Sequence, residues 1–154
     1  MAIQFIVLGK TKERYFQESE QEYLKRLTRF VKLNYLSLSA SKKEQNRELC
    51  LKQEEQSLLK QIKSSDYVIL LDEGGKNYDS RAFAEQLNNW MSHNQNICFV
   101  VGGAFGFSEK IKERANSKLS LSKLTFPHHM VRSIFLEQLY RAFTILNGGK
   151  YHND

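Results

Sequence analysis

Two hydrophobic periods alternate along this chain, and that alternation limits the fold more than any other feature. Short apolar runs of strand length, "AIQFIVLG", "YVILLD" and "NICFVV", recur along it, and "VKLNYLSLS" and "LSLSKLTF" complete a set of five. Between them lie longer segments with apolar residues at helical spacing. Phe16, Tyr23, Leu27 and Phe30 share one face of a helix expected over Glu13 to Phe30. Leu51, Leu58 and Ile62 are in phase over Lys43 to Lys63, and Phe83, Leu87 and Trp90 set the next face. Ser108 is placed to cap a short helix running through Ala115, and a last helix is expected from Met130 to Leu146, closed by "NGG". Runs that are apolar throughout belong to strands buried on both sides. The expectation is therefore an α/β fold with a mostly parallel sheet and helices on both faces.

At 154 residues the chain is expected to form a single domain over 1–154. Its apolar runs are far shorter than the roughly 18 residues a membrane span needs, and no basic stretch precedes the first of them, so a cytoplasmic location is expected. Cys50 and Cys98 lack metal-ligand spacing and are too few for a disulfide framework. The net charge of +6 is uneven: residues 1–63 carry +5 and residues 64–154 carry +1. A basic first half is either a solvated face or a surface for a polyanion such as RNA.

In open α/β sheets ligands bind beyond the carboxyl ends of the strands, which selects "LLDEGG", "VVGGAFG" and "LTFPHH". "EGGKNYDS" reads as turn chemistry. "VVGGAFG" meets neither the P-loop nor the dinucleotide fingerprint, which weakens a nucleotide-dependent oxidoreductase reading. Gly102 and Gly103 permit either a tight turn or close approach of a flat ligand. Pro127, the only proline, either simply ends a strand or stiffens a loop from Ser122 whose backbone groups stay available to a ligand. His128 and His129 are neighbours and poorly spaced to share a metal, so no metal is expected, whereas one imidazole at a strand exit suits proton transfer.

The last helix carries a stripe of Val131, Phe135, Leu139 and Phe143, widened by Ile134, Ile145 and Leu146. The surplus is covered either by the N-terminal helices or by a second copy of the chain. Glu137 and Arg141 are four apart, so Arg141 either pairs on the helix or reaches a substrate. Lys150, Tyr151 and His152 in the tail offer a cation, an aromatic ring and an imidazole, groups suited to an unpaired RNA base if the tail is ordered.

Taken in order, "LLDEGGK", "FVVGGAFGFS", "LSLSKLTFPHHMVR" and "EQLYRAFTILNGGKYH" closely resemble the ribosomal RNA large subunit methyltransferase H family. These are the 23S rRNA pseudouridine N3-methyltransferases of the SPOUT superfamily. The resemblance spans essentially the whole chain, including "IQFIVLGK" and "EYLKRL". It implies a C-terminal trefoil knot, which ordinary connectivity rules would have argued against. It also implies S-adenosyl-L-methionine (SAM) as methyl donor, a homodimer, and as substrate a pseudouridine in an rRNA hairpin loop on the assembled ribosome.

By the same resemblance the cofactor-binding positions are Leu71, Gly102, Gly103 and the loop Ser122, Lys123, Leu124, Thr125, Phe126 and Pro127. His128 is the implied catalytic residue, and Arg141, Tyr151 and His152 the implied substrate-binding ones. Many relatives carry a basic residue after "YH", where Asn153 and Asp154 stand here, which leaves Lys150 as the cation of the tail. The basic first half becomes the expected ribosome-facing surface, with Lys42 and Lys43 as its salt-sensitive contacts. A non-catalytic ribosome- or RNA-binding factor on the same fold is the competing reading, and intact "VVGG" and "LTFP" argue against it.

Overall fold

The computed structural model describes residues 2–41 and 46–153. Lys42 and Lys43, and the start of the helix expected from Lys43, lie outside the described residues. Five strands, β1 (Ala2–Leu8), β2 (Lys32–Leu38), β3 (Tyr67–Asn77), β4 (Asn96–Val101) and β5 (Ser117–Ser120), form one sheet in the order β2-β1-β4-β3-β5. All four pairings are parallel. The connections carry α1 (Arg14–Leu27), α2 (Arg47–Gln61), α3 (Ser80–His93) and α4 (Glu109–Arg114), and α5 (His128–Leu146) follows β5.

Strand periodicity sorts the core into two halves. Ile3, Phe5 and Val7 of β1 join Ile69, Ile97 and Phe99 beneath α1, α3 and α5, while Ile6, Leu8, Val68, Leu70, Cys98 and Val100 face α2 and α4. Helices thus cover both faces, as the doubly apolar runs require. α5 packs between α1 and α3, burying Phe135, Leu136, Leu139, Ala142 and Phe143, with Ile145 and Leu146 half-buried against the same cluster. Much of its surplus apolar surface is therefore covered within the chain. The strand order and the seat of α5 are consistent with a knotted C-terminal path.

Two segments differ from the sequence reading. "EGGKN" is not a turn: β3 continues through it to Asn77, and its register against β5 shifts between Leu71 and Lys76. Gly75 makes this possible, since a Cβ there would lie 2.7 Å from the Lys118 carbonyl carbon in β5. At the other end, β5 stops at Ser120 instead of running to Phe126. Ser122 Oγ accepts from the Leu124 N–H at 3.0 Å, a local turn that competes with strand pairing. α5 begins two residues early, at His128, because Pro127 needs no N–H at the helix entrance.

One buried cation ties α5 to the exit of β1. Arg132 is fully buried and donates to the Leu8 carbonyl at 2.7 Å, the Gly9 carbonyl at 2.8 Å and Thr11 Oγ1 at 3.0 Å. Burial lowers its pKa from the usual arginine value, and the nearby Tyr35 and Glu20 oppose that shift. Tyr35 in turn donates to the buried Glu20 carboxylate.

Candidate active site

A cavity of about 570 Å³ opens at the carboxyl ends of β4 and β5 and at the middle of β3, where its register against β5 begins to shift. Leu71 of β3 and Leu119 of β5 form its floor. The 102–107 segment forms one wall, and the loop from Leu121 to Pro127 forms the other. Gly103 and Gly106 make a tight antiparallel bridge, with the Gly106 N–H donating to the Gly103 carbonyl at 3.1 Å. Gly106 holds a left-handed φ of 76°. A Cβ on Gly102 would lie 2.9 Å from the Gly106 carbonyl oxygen, so the turn itself demands glycine. Of the two readings of "VVGG", the tight turn is present, and it also lines the cavity.

The opposite wall leaves the sheet at Ser120, whose Oγ donates to the Ser122 carbonyl at 2.9 Å and whose own carbonyl accepts from Asn77 Nδ2 at 2.9 Å. Beyond it, Pro127 fixes the entrance to α5, and no side chain caps the first turn of that helix. Helix-start N–H groups favour negative charge nearby. His128 stands at this position on the cavity wall, with its ring edge-to-face on His129 at 4.3 Å. His129 contacts Glu13 at 2.7 Å, and this hydrogen bond holds the Glu13 carboxyl below its ordinary pKa.

Of the sequence-derived positions, Leu71, Gly102, Gly103, Ser122, Leu124, Thr125, Phe126, Pro127 and His128 come together here. Lys123 lies on the same loop but does not line the cavity. Arg141, Tyr151 and His152 are elsewhere. They gather near the far end of α5, where Arg141 pairs with Glu137 at 2.5 Å and meets His152 Nδ1 at 3.2 Å. Tyr151 donates to Glu137 at 3.0 Å, packs edge-on against Tyr140 at 4.8 Å and lies beneath the Arg141 guanidinium at 4.8 Å. The tail is thus folded back onto the helix. Burial, with hydrogen bonds to Tyr23 and Glu137, pushes the Tyr151 phenol above its usual pKa. At neutral pH it is a hydroxyl donor, not a base.

Sequence reasoning missed several residues of the cavity. Arg47 and Lys112 reach its rim from α2 and α4, Asp72 and Glu73 stand in β3 where its register against β5 shifts, and Phe105, 41% exposed, tips the glycine turn. The only signal for Phe105 was an aromatic residue between two glycines. Nothing in the spacing joined Arg47 to the strand exits. Among the described residues, no cluster of three or more His, Cys, Asp or Glu side chains is arranged to hold a metal.

Comparison with known proteins adds what geometry does not. A family model described as "Predicted SPOUT methyltransferase" matches residues 1–152. The chain belongs to the SPOUT methyltransferase family. A relative from Caldicellulosiruptor saccharolyticus named ribosomal RNA large subunit methyltransferase H is 44% identical, over 97% of this chain and 99% of its own. Proteins of the same name from Pseudothermotoga lettingae and Bacteroides thetaiotaomicron are 43% and 38% identical, over 99% and 100% of both chains respectively. A solved structure, a probable methylase family protein from Haemophilus influenzae, superposes with a TM-score of 0.52 at 11% identity, covering 99% of this chain and 70% of that one. At that identity it supports the fold alone.

Proposed function

We propose that the chain is a SAM-dependent rRNA methyltransferase acting on N3 of a pseudouridine in a large-subunit hairpin loop of the assembled ribosome. We read residues 1–154 as one catalytic domain, with the C-terminal knot that the resemblance implies. The observation that carries the reading is the strand-exit cavity, walled by the glycine turn and the 121–127 loop. Support for the substrate comes from relatives of nearly equal length that are named as rRNA methyltransferases. The cavity suits the donor: Leu71, Leu119, Leu121 and Phe126 offer apolar surface to a purine, and the irregular 121–127 backbone offers hydrogen-bonding groups to its edge.

When bound, SAM supplies an electrophilic methyl group on a sulfonium. The chain must then hold the base in line with that methyl and help N3 lose its proton. His128 is our candidate to receive the proton, and the uncapped start of α5 favours the N3 anion that forms. Arg141, Tyr151 and His152 would hold the nucleotide. Arg141 lies 13 residues beyond His128 on one helix, so the two are about 20 Å apart along its axis. One nucleobase cannot touch both within a subunit. A homodimer in which the partner brings its tail cluster to this cavity resolves the conflict, and we assign that arrangement to the active enzyme.

The test is transfer of labelled methyl from SAM to intact ribosomes, compared with free subunits, followed by mapping of the modified base. Label on a single large-subunit pseudouridine, strongest on intact ribosomes, is expected. Labelling of another RNA or of none would refute the proposal.

A further inference from the structure

Behind the glycine wall of the cavity sits a carboxylate that the reading above does not use. Glu54 of α2 is buried, with 6% of its surface exposed. Its Oε2 accepts from Ser41 Oγ at 3.0 Å, and its Oε1 is buried with no hydrogen-bond partner among the described residues. Both oxygens press on Gly103: a Cβ on that glycine would lie 2.8 Å from Oε2 and 2.9 Å from Oε1. The absent side chain of Gly103 is therefore what admits the Glu54 carboxyl against the glycine wall of the cavity. A buried acidic group left half unpaired is costly unless something of opposite charge offsets it.

We propose that Glu54 is a positioning residue that makes the cavity prefer a cationic methyl donor over the neutral, demethylated product. This rests on SAM being the donor. The donor carries a sulfonium that the product, S-adenosylhomocysteine (SAH), lacks, so a fixed negative charge behind Gly103 favours the first and leaves the second nearly unaffected. Other charged groups at the cavity are Asp72 and Glu73 in β3 where its register shifts, and Arg47 and Lys112 on the rim; Lys112 contacts Glu109 at 3.4 Å. Glu54 differs from them in its burial, where solvent screens its field least. Loss of the sulfonium charge on methyl transfer weakens this attraction, so Glu54 promotes exchange of product for fresh donor.

The experiment is calorimetry of SAM and of SAH with wild type, E54Q and E54L, each checked for folding by circular dichroism. E54Q keeps the size and the Ser41 contact, and E54L removes the charge without adding a donor, so either folded variant gives the readout. Affinity for SAM is expected to fall about tenfold while affinity for SAH changes less than about twofold, as expected for one partly screened charge at short range. In turnover the loss would fall on KM, not on kcat. Equal loss of both ligands would show that Glu54 merely props the turn, and no change in either would show that its charge is not felt; both outcomes overturn the inference. Wild type that fails to bind SAM would instead refute the proposed function itself.

Discussion

The two ends of α5 are built on different principles. At its start the cavity is shaped by backbone devices: a glycine turn, an irregular loop and a helix entrance fixed by proline. Near its other end a cluster is made of side chains, Glu137, Tyr140, Arg141, Tyr151 and His152, which satisfy one another on the helix and tail. A main-chain site is shaped to enclose a ligand by itself. A side-chain cluster about 20 Å away acquires a ligand only if something is brought to it. The contrast predicts that damage at the first end strikes donor binding or chemistry, and damage at the second strikes the nucleotide alone.

The largest expected effect separates the two ends directly. H128A should lower the rate of methyl transfer by about 10²–10⁴-fold, the span of a lost general base, with donor affinity unchanged. Single-turnover kinetics with saturating SAM would measure it. G103V should abolish donor binding, with a loss of at least ~100-fold by calorimetry, because the new Cβ drives into Glu54 and the wall of the cavity moves. R132A tests the tie between α5 and β1. It removes the donor to the Leu8 and Gly9 carbonyls and leaves a buried hole where the guanidinium sat, and should cost about 3 kcal/mol or more in urea denaturation. R141A and Y151F should reduce methylation of ribosomes by roughly tenfold, the scale of one lost hydrogen bond to a charged or polar partner, with SAM affinity untouched. The smallest effect is at Cys98, fully buried in β4, where burial pushes the thiol up to about 12. It should stay unlabelled by iodoacetamide at pH 8 until the protein is unfolded, and ready labelling of folded protein would show that the sheet opens.

The legible part of the molecule was the part that obeys periodicity. Alternating runs placed all five strands and the helices on both faces, because doubly apolar strands leave few other architectures. Glycine and proline placed the cavity, since both act on the backbone that shapes its walls. Other features escaped because they arise from contacts distant in sequence. β3 runs through "EGGKN" only because Gly75 lets β5 lie against it, and turn chemistry does not reveal that neighbour. Glu54 reads as one more charge on an exposed helix until the fold sets it behind Gly103. Arg141, Tyr151 and His152 were expected to hold the nucleotide in a dimer whose site the partner completes; that they lie about 20 Å from His128 within one subunit follows from the length of α5, which periodicity alone does not turn into a distance between sites.

The central claim is that the two ends of α5 form one active site across a dimer. A subunit carrying G103V should be inactive alone on ribosomes, and a subunit carrying R141A with Y151F should keep only about a per cent of wild-type activity, two tenfold losses combined. Mixed so that subunits exchange, they should recover roughly a quarter of wild-type activity, because half the dimers are mixed and each mixed dimer holds one intact composite site. Activity that stays at the level of the separate variants, with exchange verified by mass spectrometry, would contradict it.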